Sequence, residues 1–238
     1  MSTVLITGSG RRLGRGLAIE FAKSGWNVIV HYNKSSDKAM ETMELLKSYD
    51  VNSISFQSDV RDINKFREKF HRITCEFGYP DVLINNAAIY PKQHSLQETD
   101  SELWNEVIDT NLRSYFEISK IYSKNALSNS KIINIASMGA FRIWKGRIPY
   151  NISKAGVLQL TKALAYELAP TIAVNSVSPG SIEIPDEQPD EELALSGARI
   201  PMQRFGSVKD VFDAVYFFAT CSNYITGQNI SVDGGYNL

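Results

Sequence analysis

The strongest constraint on the fold is a series of short apolar runs that do not alternate with polar residues. Val4-Leu5-Ile6, Asn27 to His31, Val51 to Phe56, Asp81 to Ile84, Lys131 to Ile135, Ile172 to Val177 and Asn229 to Val232 predict seven strands. A strand with one wet face alternates apolar and polar residues, so uninterrupted runs indicate burial on both faces. Helical segments separate the runs. Leu13 to Lys23 sets Leu13, Leu17, Ala18 and Phe21 on one face and stops at Gly25. Ser36 to Tyr49, Asp62 to Glu76, Asp100 to Leu127, Pro149 to Leu168 and Val208 to Ala219 predict five more helices. The result is an α/β chain, a doubly wound parallel sheet with helices on both faces. Such sheets bind ligands outside the carboxyl ends of their strands, at the switch point.

The 238 residues carry no repeat or linker and fit a single domain over 1–238. Ser181 to Gly206 interrupts the rhythm with Pro185, Pro189 and Pro201 and six acids, Glu183, Asp186, Glu187, Asp190, Glu191 and Glu192. A segment this long between strand and helix reads as a substrate lid over about 181–206, with a short helix near Asp190 to Leu195. Lys plus Arg number 25 against 26 acids, so no global field exists to hold nucleic acid or an anionic membrane. Cys75 and Cys221 lie far apart, as expected for a reduced, cytoplasmic protein. No apolar run approaches the roughly 18 residues of a membrane span, and no signal peptide is evident. His71 and His94 have no partner at metal-ligand spacing, so no catalytic metal is expected.

The first strand–helix junction is Thr7-Gly8-Ser9-Gly10-Arg11-Arg12-Leu13-Gly14. Glycines there permit a tight turn and let backbone N–H groups and a helix N-terminus approach a pyrophosphate. A cofactor with a free ribose 2′-OH usually meets an acid after the second strand. This chain has His31-Tyr32-Asn33-Lys34-Ser35 instead, with Arg11 in the facing turn. Cations and hydroxyls suit a 2′-phosphate, at about 1.5–3 kcal/mol per charge-assisted hydrogen bond. The expected cofactor is NADP(H). Further on, Tyr150 and Lys154 share a helix face, and Ser137 lies just after the fifth strand.

These parts together resemble the short-chain dehydrogenase/reductase family. The resemblance runs along the whole chain: Thr7-Gly8…Gly14, Asp59-Val60, Asn85-Asn86-Ala87-Ala88, Asn111, Ser137, Tyr150-x-x-x-Lys154, Pro179-Gly180 and Ile225-Thr226-Gly227-Gln228…Val232-Asp233-Gly234-Gly235. It implies a Rossmann-like fold and hydride transfer to a small carbonyl or pterin substrate. Tyr150 would be the general acid, with Lys154 lowering its pKa and holding the nicotinamide ribose. Ser137 would stabilise the substrate oxygen, and Asn111 would hold a relay water. The same resemblance assigns the cofactor to Gly8, Arg11, Arg12, Leu13, Gly14, His31 to Ser35, Asp59, Val60, Asn86, Ala87, Ala88, Tyr150, Lys154, Pro179, Gly180, Ser181 and Ile182. It implies a homodimer or homotetramer built through the helices Asp100 to Leu127 and Pro149 to Leu168, where Phe116, Ile118, Ile121 and Tyr122 serve core or interface.

Within the family, Arg12 stands where Gly is usual. The Thr-Gly-x-x-x-Arg-x-Gly pattern is similar to the pteridine reductase and dihydromonapterin reductase branch. There the arginine reaches cofactor phosphate and pterin, and an aromatic residue placed like Tyr90 stacks the pterin. Ser137 departs from that branch, which commonly carries Asp there. Ser suits a ketone, so a 3-oxoacyl thioester, another ketone or a sugar is the alternative substrate. A non-catalytic NADPH-binding regulator is an alternative of another class, opposed by the complete Asn111, Ser137, Tyr150 and Lys154 set.

Overall fold

The computed structural model describes residues 1–184 and 200–238. The helix anticipated near 190–195, and most of the expected lid with five of its six acids, fall outside the described residues. In chain order the elements are β1 (Thr3–Ile6), α1 (Arg12–Lys23), β2 (Asn27–Tyr32), α2 (Ser36–Leu46), β3 (Ser53–Gln57), α3 (Ile63–Phe77), β4 (Val82–Asn85) and α4 (Ser101–Ile108). They continue with α5 (Ser114–Ser123), β5 (Ser130–Ile135), α6 (Ile148–Leu168), β6 (Ile172–Pro179), α7 (Val208–Thr220) and β7 (Asn229–Val232).

The seven strands form one parallel sheet in the order β3-β2-β1-β4-β5-β6-β7. The unalternated runs have the physical cause read from the sequence. On β1, Val4 and Ile6 enter a cluster with Phe21, Trp26 and Phe212, while Leu5 enters the opposite one with Phe66, Phe70 and Leu164. Helices α1, α2 and α7 therefore cover one face, and α3, α5 and α6 the other. The order reverses between β1, which pairs β2 on one side, and β4 on the other. That seam is the switch point, and the chain leaves it toward both faces.

The long helix expected over Asp100 to Leu127 is two helices. A five-residue π-helical turn, Asp109–Arg113, joins α4 to α5, and α5 ends at Ser123. A wider turn breaks the 3.6-residue period without any Gly or Pro to mark it, and such turns are frequent at functional sites. It also swings Asn111 fully inside. The structure divides the residues that sequence left between core and interface. Ile118, Ile121 and Tyr122 are buried, and Phe116 is exposed. No helix among the described residues is long and apolar enough to cross a membrane.

Candidate functional site

The turn after β1 is fastened to the segment after β4 by side chains. The Thr7 hydroxyl accepts from the backbone N–H groups of Asn86 (2.9 Å) and Ala87 (3.0 Å). The Asn86 side-chain amide also donates, to the carbonyls of Thr7 (2.8 Å) and Gly8 (3.2 Å). Gly8 has φ +66°, and a Cβ there would stand 2.9 Å from the Ala87 Cα, so the two backbones touch. Asn86, assigned to the cofactor by sequence, thus also braces the cleft floor.

His31 is the second brace. Its Nδ1 accepts from the Gly8 N–H at 3.1 Å, which leaves the ring proton on Nε2. Nε2 faces the Ser58 carbonyl and hydroxyl, each at 3.1 Å. The ring is enclosed by Phe56 and Phe66. Burial pushes its pKa down from 6.5 to about 4, against the smaller opposing effects of the Ser58 hydrogen bond and the Asp59 charge. The unfolded chain binds this proton more tightly, so the stability held by neutral His31 is full above pH 6.5 and is lost as pH falls toward 4. The whole effect is about 3 kcal/mol, of which about 2 kcal/mol falls between pH 7.5 and 5. Urea unfolding at those two pH values will register the loss, and His31→Asn will flatten it.

Around these braces lies a cleft of about 320 Å³. Gly8, Arg11, Arg12, Leu13 and Gly14 line it from the first turn, His31 to Ser35 from the end of β2, Asp59 and Val60 from the end of β3, and Asn86, Ala87 and Ala88 from the end of β4. The structure brings these sequence-predicted residues together. Gly10, Arg61, Ile89, Glu106 and Thr110 also line it and were missed. Arg61 forks onto Asp59 (closest 2.8 Å) and reaches Glu106 at 3.3 Å, holding the Asp59 carboxyl below its usual range. An arginine two residues after an acid in a loop gives no sequence signal of such a clamp.

Pro179, Gly180, Ser181 and Ile182 lie elsewhere, at the end of β6. Gly180 packs 2.9 Å from Asp233, measured to an added Cβ, and Ile182 bridges to Gly206. Tyr150 and Lys154, on α6, also stand outside the lining of the cleft. They connect to it through the segment after β4. The Asn111 side chain clips Ile89, accepting from its N–H (2.8 Å) and donating to its carbonyl (2.9 Å). The next residue, Tyr90, meets the Tyr150 ring edge-on at 4.7 Å.

Burial pushes the Tyr150 phenol up to about 12. The neighbouring Ser137 hydroxyl pulls the other way, Tyr90 adds to the rise, and the charge of Arg147 opposes it. Ser137 is itself oriented by accepting from the Gly139 N–H at 3.1 Å. Lys154 is buried, donates to the Ile135 carbonyl at 2.8 Å, and is pushed down to about 7 by desolvation. A protonated phenol, a hydroxyl and an amine poised near neutrality suit proton delivery to a developing alkoxide. His71 lies on the exposed side of α3, and His94 bonds the Lys92 carbonyl.

A family model described as Enoyl-(Acyl carrier protein) reductase matches residues 8–237. A 3-oxoacyl-(acyl-carrier-protein) reductase FabG of Staphylococcus aureus (strain N315) is 36% identical over 239 residues, spanning 98% of this chain and 97% of the relative. A 2-dehydro-3-deoxy-D-gluconate 5-dehydrogenase of Escherichia coli (strain K12) is 31% identical over 245 residues, spanning 98% and 94%. Among solved structures, a short chain dehydrogenase from Burkholderia cenocepacia in complex with NADP superposes with TM-score 0.93 at 28% identity, covering 100% of this chain and 98% of that one. A short-chain dehydrogenase/reductase from Serratia marcescens gives TM-score 0.93 at 25% identity over the same shares.

Proposed function

The chain belongs to the short-chain dehydrogenase/reductase family and is an NADP(H)-dependent oxidoreductase, and from that premise we propose that it reduces the ketone of a 3-oxoacyl thioester. The observation that carries this reading is Ser137, a neutral hydroxyl close enough to the Tyr150 phenol to lower its pKa, where a pterin reductase would commonly place an acid. Similarity over nearly the full length to 3-oxoacyl reductases supports it. The pterin branch suggested by the Arg12 pattern has no counterpart among these relatives.

The cleft fits the cofactor. A Cβ on Gly10 would press on Ala39 and Tyr32 at 3.2 Å, so a side chain there would crowd the turn. Arg11, Lys34 and Ser35 would hold the 2′-phosphate, and the start of α1 the pyrophosphate. When bound, NADPH supplies the hydride. Tyr150 gives its proton to the ketone oxygen, Ser137 hydrogen-bonds that oxygen as charge develops, and Lys154 would hold the ribose. The products are a 3-hydroxyacyl thioester, NADP+ and a tyrosinate that regains its proton from solvent. Asn111 keeps the Ile89–Tyr90 segment against Tyr150. The family's relay-water role for Asn111 remains part of this proposal.

NADPH oxidation measured with an acetoacetyl thioester and dihydrobiopterin side by side tests the reading. Turnover of the thioester is expected, and turnover of the pterin alone would overturn it. One observation favours the pterin as a second reading. Arg12 sits at φ +54°, a left-handed conformation that costs a non-glycine residue roughly 1–2 kcal/mol. A strained arginine is retained for its side chain. Arg12→Gly should raise the melting temperature by roughly 2–4 °C per kcal/mol of relieved strain.

Self-association is part of the same proposal. Trp104, Phe116, Ile152 and Tyr166 expose apolar surface on α4, α5 and α6. Exposed surface of this kind supports a homodimer or homotetramer through those helices. Light scattering at micromolar concentration would show a monomer if this is wrong.

A further inference from the structure

We propose that Arg147 is a positioning residue for this reaction: its guanidinium, laid on the Tyr90 ring, holds that ring against Tyr150 and supplies positive charge beside the proton donor. The inference rests on the reading of Tyr150 as the acid. Arg147 precedes α6 by one residue and is buried, 5% exposed. Its guanidinium carbon lies 3.9 Å from the centre of the Tyr90 ring, and the Tyr90 and Tyr150 rings are 4.7 Å apart at 80°. A desolvated cation over an aromatic face is strongly held.

The surrounding backbone is built to keep it there. The Asn151 side chain clamps Trp144, donating to its carbonyl at 2.9 Å and accepting from its N–H at 3.3 Å. The Arg147 N–H donates to the Trp144 carbonyl at 3.2 Å, and the Asn151 N–H to the Arg147 carbonyl at 2.9 Å. The segment carrying Tyr90 is stitched to the same turn, with the His94 N–H donating to the Gly146 carbonyl at 2.9 Å. Two loops from neighbouring strands thus meet with the arginine between them.

Among the described residues, the titratable groups facing Tyr150 come from several elements. Ser137 follows β5, Tyr90 follows β4, Tyr115 lies on α5, and Arg147 begins α6. Lys154, one turn along α6, directs its ammonium to the Ile135 carbonyl. Arg147 is the cation that opposes the effect of burial on the phenol. Lys154 had been the expected source of that charge.

The sign follows. Ketone reduction needs the protonated phenol, so the rate falls above its pKa. A nearby cation favours the phenolate, so removing it moves this basic limb to higher pH. The test compares pH profiles of kcat at saturating cofactor for the wild type, Arg147→Gln, Arg147→Lys and Tyr150→Phe. Because the phenol titrates at about 12, the limb is read from the reverse reaction, oxidation of the 3-hydroxyacyl thioester, whose rate at about pH 8–10 follows the phenolate fraction. In Arg147→Gln that rate is expected to fall about threefold, a limb raised by about half a pH unit. Arg147→Lys keeps the charge but not the flat stack, so its limb should return toward wild type while kcat stays roughly threefold or more below it. KM for NADPH should change less than about twofold in both, because neither touches the cleft.

If Tyr150→Phe retains wild-type kcat, the acid assignment fails and takes this proposal with it. If Tyr150→Phe is inactive and the limb of Arg147→Gln stays put, the proposal about Arg147 alone falls. Should Arg147→Gln fail to fold by circular dichroism, Arg147→Lys decides. Full kcat there, or a displaced limb, would overturn the proposal.

Discussion

Replacing Tyr150 by Phe is expected to lower kcat for ketone reduction by about a thousandfold, within the 10²–10⁴ range typical of general acids, while NADPH affinity changes less than about threefold. The substitution removes one oxygen and keeps the ring that packs on Tyr90. That ring lies on α6, outside the cofactor cleft, so the cleft's geometry is preserved. What disappears is the proton. With the phenol pushed up to about 12, it is fully protonated at neutral pH and ready to donate. Ser137 cannot substitute as an acid, because an aliphatic hydroxyl is a far weaker acid than a phenol. Steady-state kinetics with a 3-oxoacyl thioester, paired with fluorescence titration of NADPH, separates the two effects. Retention of more than about a tenth of wild-type kcat would remove Tyr150 from the acid role.

Gly14→Ala should be the most damaging single methyl in the cofactor cleft. A Cβ at position 14 would lie 2.4 Å from the Gly8 carbonyl oxygen, 2.6 Å from the Asn86 amide nitrogen and 2.8 Å from the Ser9 Cα. Two of those three atoms are backbone, and the third is tied to the Thr7 and Gly8 carbonyls. None can yield alone. The α1 N-terminus must tilt away from the turn, or the β1–β4 brace must open. Overpacking of this kind costs about 1–3 kcal/mol or more, and a melting temperature lower by roughly 5–10 °C follows for a chain of this size. The same tilt moves the N–H groups that would face the pyrophosphate, so NADPH affinity should fall at least about tenfold, or by 1.4 kcal/mol. An unchanged melting temperature and affinity would show that the contact is not as tight as the geometry indicates.

The sheet was legible because burial on both faces leaves a mark in every strand. Val28, Ile29 and Val30 announce β2 since alternate residues meet different helix layers. The proposed catalytic set, Asn111, Ser137, Tyr150 and Lys154, was read from its order along the chain. Asn111 was read on an unbroken helix, because the π turn that buries it keeps a helical composition. Arg61 and Arg147 escaped notice for a shared reason. A cation in a loop looks solvated until its partners arrive, and those partners are distant in sequence: Glu106 for Arg61, Tyr90 for Arg147. His31 was placed on the cofactor side, but its bond to Gly8 and its contact with Ser58 depend on three chain segments meeting.

The Thr7–Asn86 brace ties the floor of the cleft by side chains beyond the last rung of the β1–β4 ladder. Its hydrogen bonds all run one way, from Asn86 and Ala87 to Thr7 and Gly8, and they share the Asn86 side chain and the Thr7 hydroxyl, so they open together. In amide hydrogen exchange, the N–H groups of Asn86 and Ala87 should therefore share one opening rate with that of Gly8, although nearly eighty residues separate them. NADP(H) binding should slow all three together, so occupancy of the cleft can be followed from a peptide in either half of the chain.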